Sequence, residues 1–236
     1  MANATLVIDF GNSETRGAVM FGKKQGTKPI ERGFTLSNRF AEIPQGYVPS
    51  SDYNEETSTI VDIKAVVNSS QFSGRFANGE LQQKEFGIAP LRPTATEKKY
   101  LSSTTALSYA MAMLQAYKEI AKTENLVGLE AVDVVWSVVI LLPPGDVDSG
   151  KNMIVEMVKS IKTIKYDMPD VLLRISLSNV TVLPEGFCAY IATVFDRGSI
   201  LRPEMKSLVK EETLVFDVGA GTTDIMVFKD NKHITS

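Results

Sequence analysis

Short apolar runs alternate along this chain with segments of helical periodicity. The run Leu6–Phe10 meets a Gly-Asn-Ser turn and then a second run, Thr15–Phe21, which predicts a β-hairpin. Thr213–Lys229 predicts another hairpin in the same way. Between them the pattern predicts, in order, a strand within Gly33–Ile43, a helix from Ser102, Ser103 or Thr104, a buried strand over Ala131–Leu142, a helix from Asp148 or Ser149, β structure in one or two pieces over Val171–Leu183, and a helix from Pro184. This order predicts an α/β fold with a mixed sheet flanked by helices.

The segment Pro44–Pro93 has a different character. Gly, Pro, Ser, Asn and Gln are frequent in it, and its apolar residues show little periodicity. This pattern predicts an inserted small subdomain built of short elements. Regular structure is expected to resume after it, with the helix that begins near Ser102.

Composition and charge narrow the range of functions. The chain has 236 residues, of which 44% are hydrophobic and 22% charged, as in an ordinary globular protein. Its net charge of −3 provides no basic field, so we expect no direct contact with nucleic acid or with a membrane. The longest apolar run, Val134–Leu142, is too short to span a bilayer, and the N-terminus lacks the charge pattern of a signal peptide. A cytoplasmic protein is therefore expected.

Cysteine and histidine each occur once, which excludes further kinds of site. The single Cys188 rules out an internal disulfide framework and is expected to pack as a small core residue. The single His233 removes most catalytic triads and most zinc sites. The neighbouring Lys98 and Lys99 are expected to lie on a solvated face. Any chemistry must then use carboxylates, hydroxyls and backbone amides.

The two predicted hairpins form an internal repeat. Leu6–Phe21 aligns without gaps with Leu214–Lys229, and each contains an Asp-x-Gly turn, which begins at Asp9 or at Asp217. A carboxylate at the end of a buried strand can hold the waters of a hydrated Mg²⁺, and the glycine lets backbone amides approach phosphate oxygens. The hydroxyl groups that can donate to phosphate are Ser13, Thr15, Thr222 and Thr223. A lone Asp-x-Gly is more often an ordinary hairpin turn, but two copies at opposite ends of one domain favour a shared triphosphate site.

The two turns resemble the phosphate-binding motifs of the actin-like ATPase superfamily, and most closely those of its ParM-type segregation proteins. The resemblance implies a ribonuclease H-like fold with ATP and magnesium in a cleft between two domains. Val180–Tyr190 resembles the first connecting motif of the superfamily, and Glu185 falls on the position of the group that orients the attacking water. Arg16 falls on a cationic position where the family usually has Lys.

This resemblance implies a role for each matching residue. Asp9 and Asp217 would hold magnesium through its waters and take part in catalysis, with Glu185 as general base or water-orienting group. The residues implied in nucleotide binding are Gly11, Asn12, Ser13, Thr15, Arg16, Gly219, Ala220, Gly221, Thr222 and Thr223. The implied domains are a first one over 1–207, with the insertion at about 44–93, and the start of a second over 208–236, whose remainder would follow in a longer protein.

The function implied is that of a ParM-like actin homologue, which binds and hydrolyses ATP to assemble and disassemble filaments of itself. Its implied role is segregation of plasmid or phage DNA through a DNA-binding adaptor protein. Two alternatives stay open. A small-molecule kinase of the same superfamily would need an acceptor pocket, and a membrane-adaptor scaffold of the FtsA or PilM kind would usually carry an amphipathic tail or a distinctive subdomain.

Overall fold

The computed structural model describes residues 2–22, 28–50, 53–54, 56–86, 91–94, 97–124, 126, 129–167, 170–196, 198–218, 223–230 and 232–234. Within these ranges the strands are β1 (Ala2–Phe10), β2 (Glu14–Phe21), β3 (Ile30–Ser37), β4 (Phe40–Glu42), β5 (Ser58–Val67), β6 (Ser70–Gly79), β7 (Ala131–Leu142), β8 (Thr163–Asp167), β9 (Asp170–Pro184), β10 (Thr213–Val218), β11 (Thr223–Lys229) and β12 (Lys232–Ile234). The helices are α1 (Glu80–Phe86), α2 (Ser103–Glu124), α3 (Pro144–Ser160), α4 (Phe187–Val194) and α5 (Lys206–Lys210), with 3₁₀ turns at Lys99–Leu101 and Pro203–Met205. None of these helices is both long and apolar enough to cross a membrane.

A mixed sheet of nine strands forms the centre of the described fold, in the order β3-β2-β1-β7-β9-β8-β5-β6-β4. β1 lies antiparallel to β2 and parallel to β7, and β7 lies parallel to β9. The helices α2 and α3 pack against this sheet and against each other. Alternate residues of β7 from Val134 to Ile140 are buried, because successive side chains of a strand point to opposite faces and one face meets the helices.

This architecture confirms the predicted fold class and most of the predicted elements. β7 has the predicted bounds, because its apolar run lies in the middle of the sheet and every residue from Val134 to Leu142 is buried or half-buried. β9 is one strand, with a bulge at Ser178 opposite the Trp136–Ser137 step of β7. α3 begins at Pro144, ahead of the predicted caps. The predicted helix start at Pro184 is wrong, since Pro184 ends β9 and α4 begins only at Phe187.

The segment at about 44–93 contains longer strands than predicted. β5 and β6 have ten residues each and pair along their whole length. β8, which the sequence pattern did not reveal, pairs with both β5 and β9, so this segment extends the main sheet. A cluster around Ile60, Ala77 and Leu81 packs separately from the main core. The prediction of short elements is wrong because the first half of β6 carries Ser, Gln and Gly at exposed or half-buried positions, and these residues hide its strand character.

A second sheet of three strands, in the order β10-β11-β12, follows the polar link after α4. One of its faces packs on α4, where the Tyr190 and Phe228 rings stack with 4.0 Å between their centroids. Leu214, Phe216 and Val218, which alternate with the packed residues along β10, are exposed. The packing on α4 fixes the position of the second hairpin relative to the end of β9.

Candidate active site

The two hairpins share one register. In the first hairpin Asp9 pairs with Arg16, and in the second Asp217 pairs with Asp224. These pairs are equivalent in the ungapped alignment of the two sequences, so the internal repeat is also a repeat of structure. Because directly paired residues of two strands point to the same face of a sheet, each aspartate shares its face with its partner.

A cleft of about 180 Å³ lies between the two hairpins. Its walls also include Lys99 and Glu185, which come from the middle of the chain. The lining residues are Asp9, Gly11, Asn12, Ser13, Glu14, Arg16, Lys99, Glu185, Asp217, Val218 and Asp224. Most of the site residues predicted in the described part of the chain are therefore brought together, from both ends of the sequence.

The predicted second turn is described only at its two ends. Gly219, Ala220, Gly221 and Thr222 lie outside the described residues. Thr223 is the first residue of β11 and is exposed, beside the lining residue Asp224. Val218 and Thr223, the described residues on either side, pair with each other as the ends of β10 and β11.

Hydrogen bonds hold the first turn in place. The Gly11 amide donates to the Glu14 carbonyl at 3.0 Å, and a Cβ at Gly11 would lie 2.9 Å from that oxygen, so a side chain there would force the turn apart. Nδ2 of Asn38, which lies between β3 and β4, donates to the Gly11 carbonyl at 2.6 Å. The backbone that faces the cleft is thus positioned by the fold itself.

Thr15 does not reach the cleft. Its side chain is fully buried, and Oγ1 donates to Oδ1 of Asn38 at 2.7 Å. Thr15 pairs with Phe10, whereas its neighbour Arg16 pairs with Asp9 and lines the cleft. Alternation along the strand therefore puts the Thr15 side chain on the core side. The prediction that its hydroxyl contacts phosphate is wrong.

We expect Thr15→Val to lower the free energy of unfolding by about 0.5–1.5 kcal/mol, because one buried hydrogen bond to Asn38 is lost and the shape is kept. Ser108, which donates to the same Oδ1 at 3.0 Å, keeps that oxygen partly satisfied. Affinity of the cleft for a nucleotide, with ATP as the probe, should not change, because the Thr15 side chain does not line the cleft. Urea unfolding and nucleotide titration measure the two effects, with Ser13→Ala in the cleft as the matched variant. Weaker ATP binding by Thr15→Val at unchanged stability would contradict this assignment.

Glu185 lies in the turn between β9 and α4. Its amide donates to the carbonyl of Leu142, the last residue of β7, at 2.6 Å. The next residue, Gly186, has a φ of 79°, a left-handed conformation that favours glycine. The Glu185 side chain is about 10% exposed. The ends of two parallel strands therefore place this carboxylate at the floor of the cleft.

Lys99 is a site residue that the sequence did not reveal. Its side chain is 13% exposed, and Nζ donates to the Phe10 carbonyl at 2.6 Å and to Oε1 of Glu185 at 2.5 Å. The prediction of a solvated lysine pair is wrong for Lys99, whereas the Lys98 side chain is 56% exposed. The sequence does not distinguish Lys98 from Lys99, because both are lysines in a polar segment. Which of the two side chains is buried depends on how this segment packs on the rest of the fold.

Acidic groups that are buried or half-buried dominate the electrostatics of the cleft. Burial raises the pKa of Asp9 and of Asp224, and it raises the pKa of Glu185 to about 7, while Lys99 lowers all three pKa values. Asp217 adds to the rise in the pKa of Asp9. Glu185 therefore loses its proton at a higher pH than an exposed glutamate does. A cation bound between Asp9 and Asp217 would relieve their repulsion.

The donor set fits a magnesium ion that is held through water. Mg²⁺ prefers oxygen ligands and usually retains several of its waters. Within the described ranges, no three acidic, histidine or cysteine side chains are arranged to ligate a metal directly. Asp9 and Asp217 line the same cleft from opposite hairpins, so their carboxylates can accept hydrogen bonds from the waters of one hydrated ion.

Comparison with known proteins gives matches in structure only. No protein-family model matches the chain, and no curated protein matches it. Among solved structures, the actin-like protein Alp7A is 17% identical with a TM-score of 0.66, and the match covers 96% of this chain and 56% of Alp7A. ParM of Bacillus thuringiensis with ATP is 18% identical with a TM-score of 0.58, with 99% and 58% covered. A 15-stranded ParM filament from Clostridium botulinum is 18% identical with a TM-score of 0.59, with 100% and 62% covered.

These matches establish the fold of the chain, because their coverage of it is nearly complete and their sequence identities are low. Nearly all of this chain is matched, while it spans between 56% and 62% of the length of those three structures. At identities below 20%, the matches show a shared fold and do not show a shared activity. The order of strands, the paired hairpins and these matches lead to one conclusion: the chain has the actin-like fold of ParM-type proteins.

Proposed function

We propose that the cleft binds Mg–ATP and that the protein hydrolyses ATP to control the assembly of a filament of itself. The observation that carries this proposal is the pair of equivalent hairpins, whose aspartates Asp9 and Asp217 line one cleft together with Glu185. The matched structures support it, because one is a ParM with ATP and another is a ParM filament.

In this proposal the two turns bind the phosphates. The amides of the first turn and the Ser13 hydroxyl donate to phosphate oxygens, and Asp9 and Asp217 accept hydrogen bonds from magnesium-bound waters. Magnesium, when bound, neutralises charge on the phosphate oxygens. The nucleotide contacts proposed from the resemblance are Gly11, Asn12, Ser13, Arg16, Gly219, Ala220, Gly221, Thr222 and Thr223.

Glu185 acts on the attacking water. Its carboxylate orients the water and accepts its proton as the water oxygen attacks the terminal phosphorus. The bond from that phosphorus to the bridging oxygen breaks, and ADP leaves with the bridging oxygen. A pKa of about 7 suits a general base. Just above neutral pH the Glu185 carboxylate is largely ionised, and it is a stronger base than a glutamate of ordinary pKa.

Assembly and DNA segregation extend the proposal beyond the cleft. Self-assembly is supported by the likeness to the ParM filament from Clostridium botulinum. Segregation of plasmid or phage DNA, through a DNA-binding adaptor protein, rests on the resemblance of the sequence motifs to those of ParM-type proteins. Both parts of the proposal go beyond the residues that line the cleft and are tested separately from nucleotide binding.

Light scattering of the full-length protein tests the proposal. We expect scattering to rise on addition of Mg–ATP, to fall as ATP is consumed, and to persist with a non-hydrolysable analogue. Addition of EDTA before ATP is the control and should prevent the rise. Electron microscopy of the same samples should show filaments at the plateau. Monomers that persist with Mg–ATP at high protein concentration would contradict filament assembly.

The same samples distinguish the two alternatives. Phosphate release that requires an added small-molecule acceptor would identify a kinase of the same fold. Nucleotide binding without turnover, together with binding to lipid vesicles, would identify a membrane-adaptor scaffold. Acceptor-independent phosphate release that accompanies filament growth supports the proposal.

A further inference from the structure

The Lys99 ammonium connects the first hairpin to the Glu185 carboxylate. It donates at 2.6 Å to the carbonyl of Phe10, which ends β1 directly after Asp9, and at 2.5 Å to Glu185. It also lies 5.5 Å from the centroid of the Phe10 ring. Both side chains of this ion pair are largely buried, so it is shielded from the solvent that weakens surface pairs.

The backbone around Lys99 is fixed by α3. The Tyr100 ring packs on Gly150, where a Cβ would lie 2.2 Å from the ring. The Leu101 amide donates to the Lys98 carbonyl at 2.9 Å and closes the turn that contains Lys99. The Lys99 side chain therefore enters the cleft from a segment that α3 holds in place, immediately before α2 begins.

Arg16 does not duplicate this contact. Its side chain is 68% exposed and pairs with Glu14 of the same strand at 2.5 Å. The other charged groups that act on Glu185, namely Asp9 and Asp224, are acidic. Removal of the Lys99 charge would leave a buried carboxylate near two others, and such a group takes up a proton or moves toward water.

We propose that Lys99 is a positioning residue for Glu185: it holds the carboxylate against the end of β1, where the first phosphate turn begins. The inference rests on the proposed function, since it assigns Lys99 a role in hydrolysis through Glu185. Nucleotide binding depends on the two turns and magnesium, and so does not depend on this ion pair. Lys99 is thus expected to affect turnover and to leave affinity nearly unchanged.

Steady-state kinetics of Lys99→Met in the full-length protein test this inference. We expect kcat to fall by about 10²-fold, the size of effect that displacement of a catalytic group can produce, with little change in KM or in the Kd for ATP. Lys98→Met is the matched control. It removes an ion pair of 2.6 Å between Lys98, 56% exposed, and Asp146, 10% exposed. Since neither residue lines the cleft, kcat should stay within about twofold.

Two further readouts separate positioning from a general loss of structure. Without the ammonium the ionised form of Glu185 is disfavoured, so the rise of kcat/KM with pH should move to higher pH in Lys99→Met. In a double-mutant cycle, Lys99→Met should cost little further activity once Glu185→Gln is present. If Lys99→Met does not fold, as judged by circular dichroism, Lys99→Gln is tested in its place.

The outcomes distinguish failure of this inference from failure of the proposed function. No ATP turnover by the wild-type protein would overturn the proposed function. Wild-type turnover together with an unchanged kcat in Lys99→Met would overturn only the role of Lys99. A Kd for ATP that rises as much as kcat falls would identify Lys99 as a phosphate contact and would equally overturn its role as a positioning residue.

Discussion

Replacement of Glu185 by glutamine is expected to lower kcat for ATP hydrolysis by about 10²-fold or more, which is the usual contribution of a general base. Glutamine keeps the size of the side chain and can still bond to Lys99, but it cannot accept the proton of the attacking water. The affinity for ATP should change little, because the turns and magnesium hold the nucleotide. Filaments of this variant should persist longer than those of the wild type, since hydrolysis sets their lifetime.

The pH dependence of the wild type supplies a second test of Glu185. Burial raises the pKa of Glu185 to about 7, so a base at this position gains activity as pH rises through about 7 and the carboxyl loses its proton. We therefore expect kcat/KM, which reports on the free enzyme, to rise over this interval in the wild type. The rise due to Glu185 should be absent from Glu185→Gln, where any remaining rise belongs to the nucleotide.

An exposed glutamate provides the control for both measurements. Glu130 is exposed, outside the residues that line the cleft, and Glu130→Gln should keep the wild-type rate and pH profile. Phosphate release by Glu185→Gln at the wild-type rate would show that Glu185 serves only the structure of the turn before α4. The catalytic assignment would then have to be withdrawn.

Replacement of Asp217 by asparagine is expected to weaken magnesium-dependent ATP binding by about 10–100-fold, as loss of a group that orients a metal's ligands does elsewhere. Asp217 lines the cleft from the second hairpin, opposite Asp9, and its charge would stabilise a hydrated magnesium ion. Titration of the full-length protein with ATP, with and without magnesium, measures the effect. Binding in the absence of magnesium should change much less.

Asp133→Asn is the matched control for Asp217. Its carboxylate is 52% exposed and lies 3.7 Å from Arg174 on the outside of the sheet. This variant should bind ATP as the wild type does, because a surface ion pair contributes little. If Asp217→Asn also kept wild-type magnesium-dependent binding, the second Asp-x-Gly would be an ordinary hairpin turn.

Local sequence patterns were sufficient to predict much of the fold. The hairpin repeat could be predicted because residues that are equivalent in the alignment of the two segments also pair in the same way. The Asp9–Arg16 pair of the first hairpin corresponds to the Asp217–Asp224 pair of the second. β7 could be predicted because a strand in the middle of a sheet, with both faces at least half-buried from Val134 on, favours a continuous apolar run. β6 was not predicted as a long strand, because its first half carries Ser, Gln and Gly, residues that are equally common in loops.

Site residues could be predicted where a single strand and its turn determine their position. They could not be predicted where segments distant in sequence come together. Asp9 and Glu185 stand at strand ends, so their places follow from the strands. Thr15 was assigned to the wrong face of the sheet. The register of the hairpin decides whether Thr15 or Arg16 faces the cleft, and the residue types alone do not reveal that register. Lys99 reaches the cleft only because Tyr100 packs on α3, a contact between residues 50 positions apart that no local pattern encodes.

Isothermal titration of the full-length protein with ATP tests the central claim most directly, namely that the two hairpins bind a single nucleotide through magnesium. The hairpin geometry predicts one saturable site per chain in the presence of magnesium and a large loss of affinity when magnesium is chelated. Two independent sites, or equal affinity with and without magnesium, would contradict the claim that both Asp-x-Gly turns act on the same triphosphate.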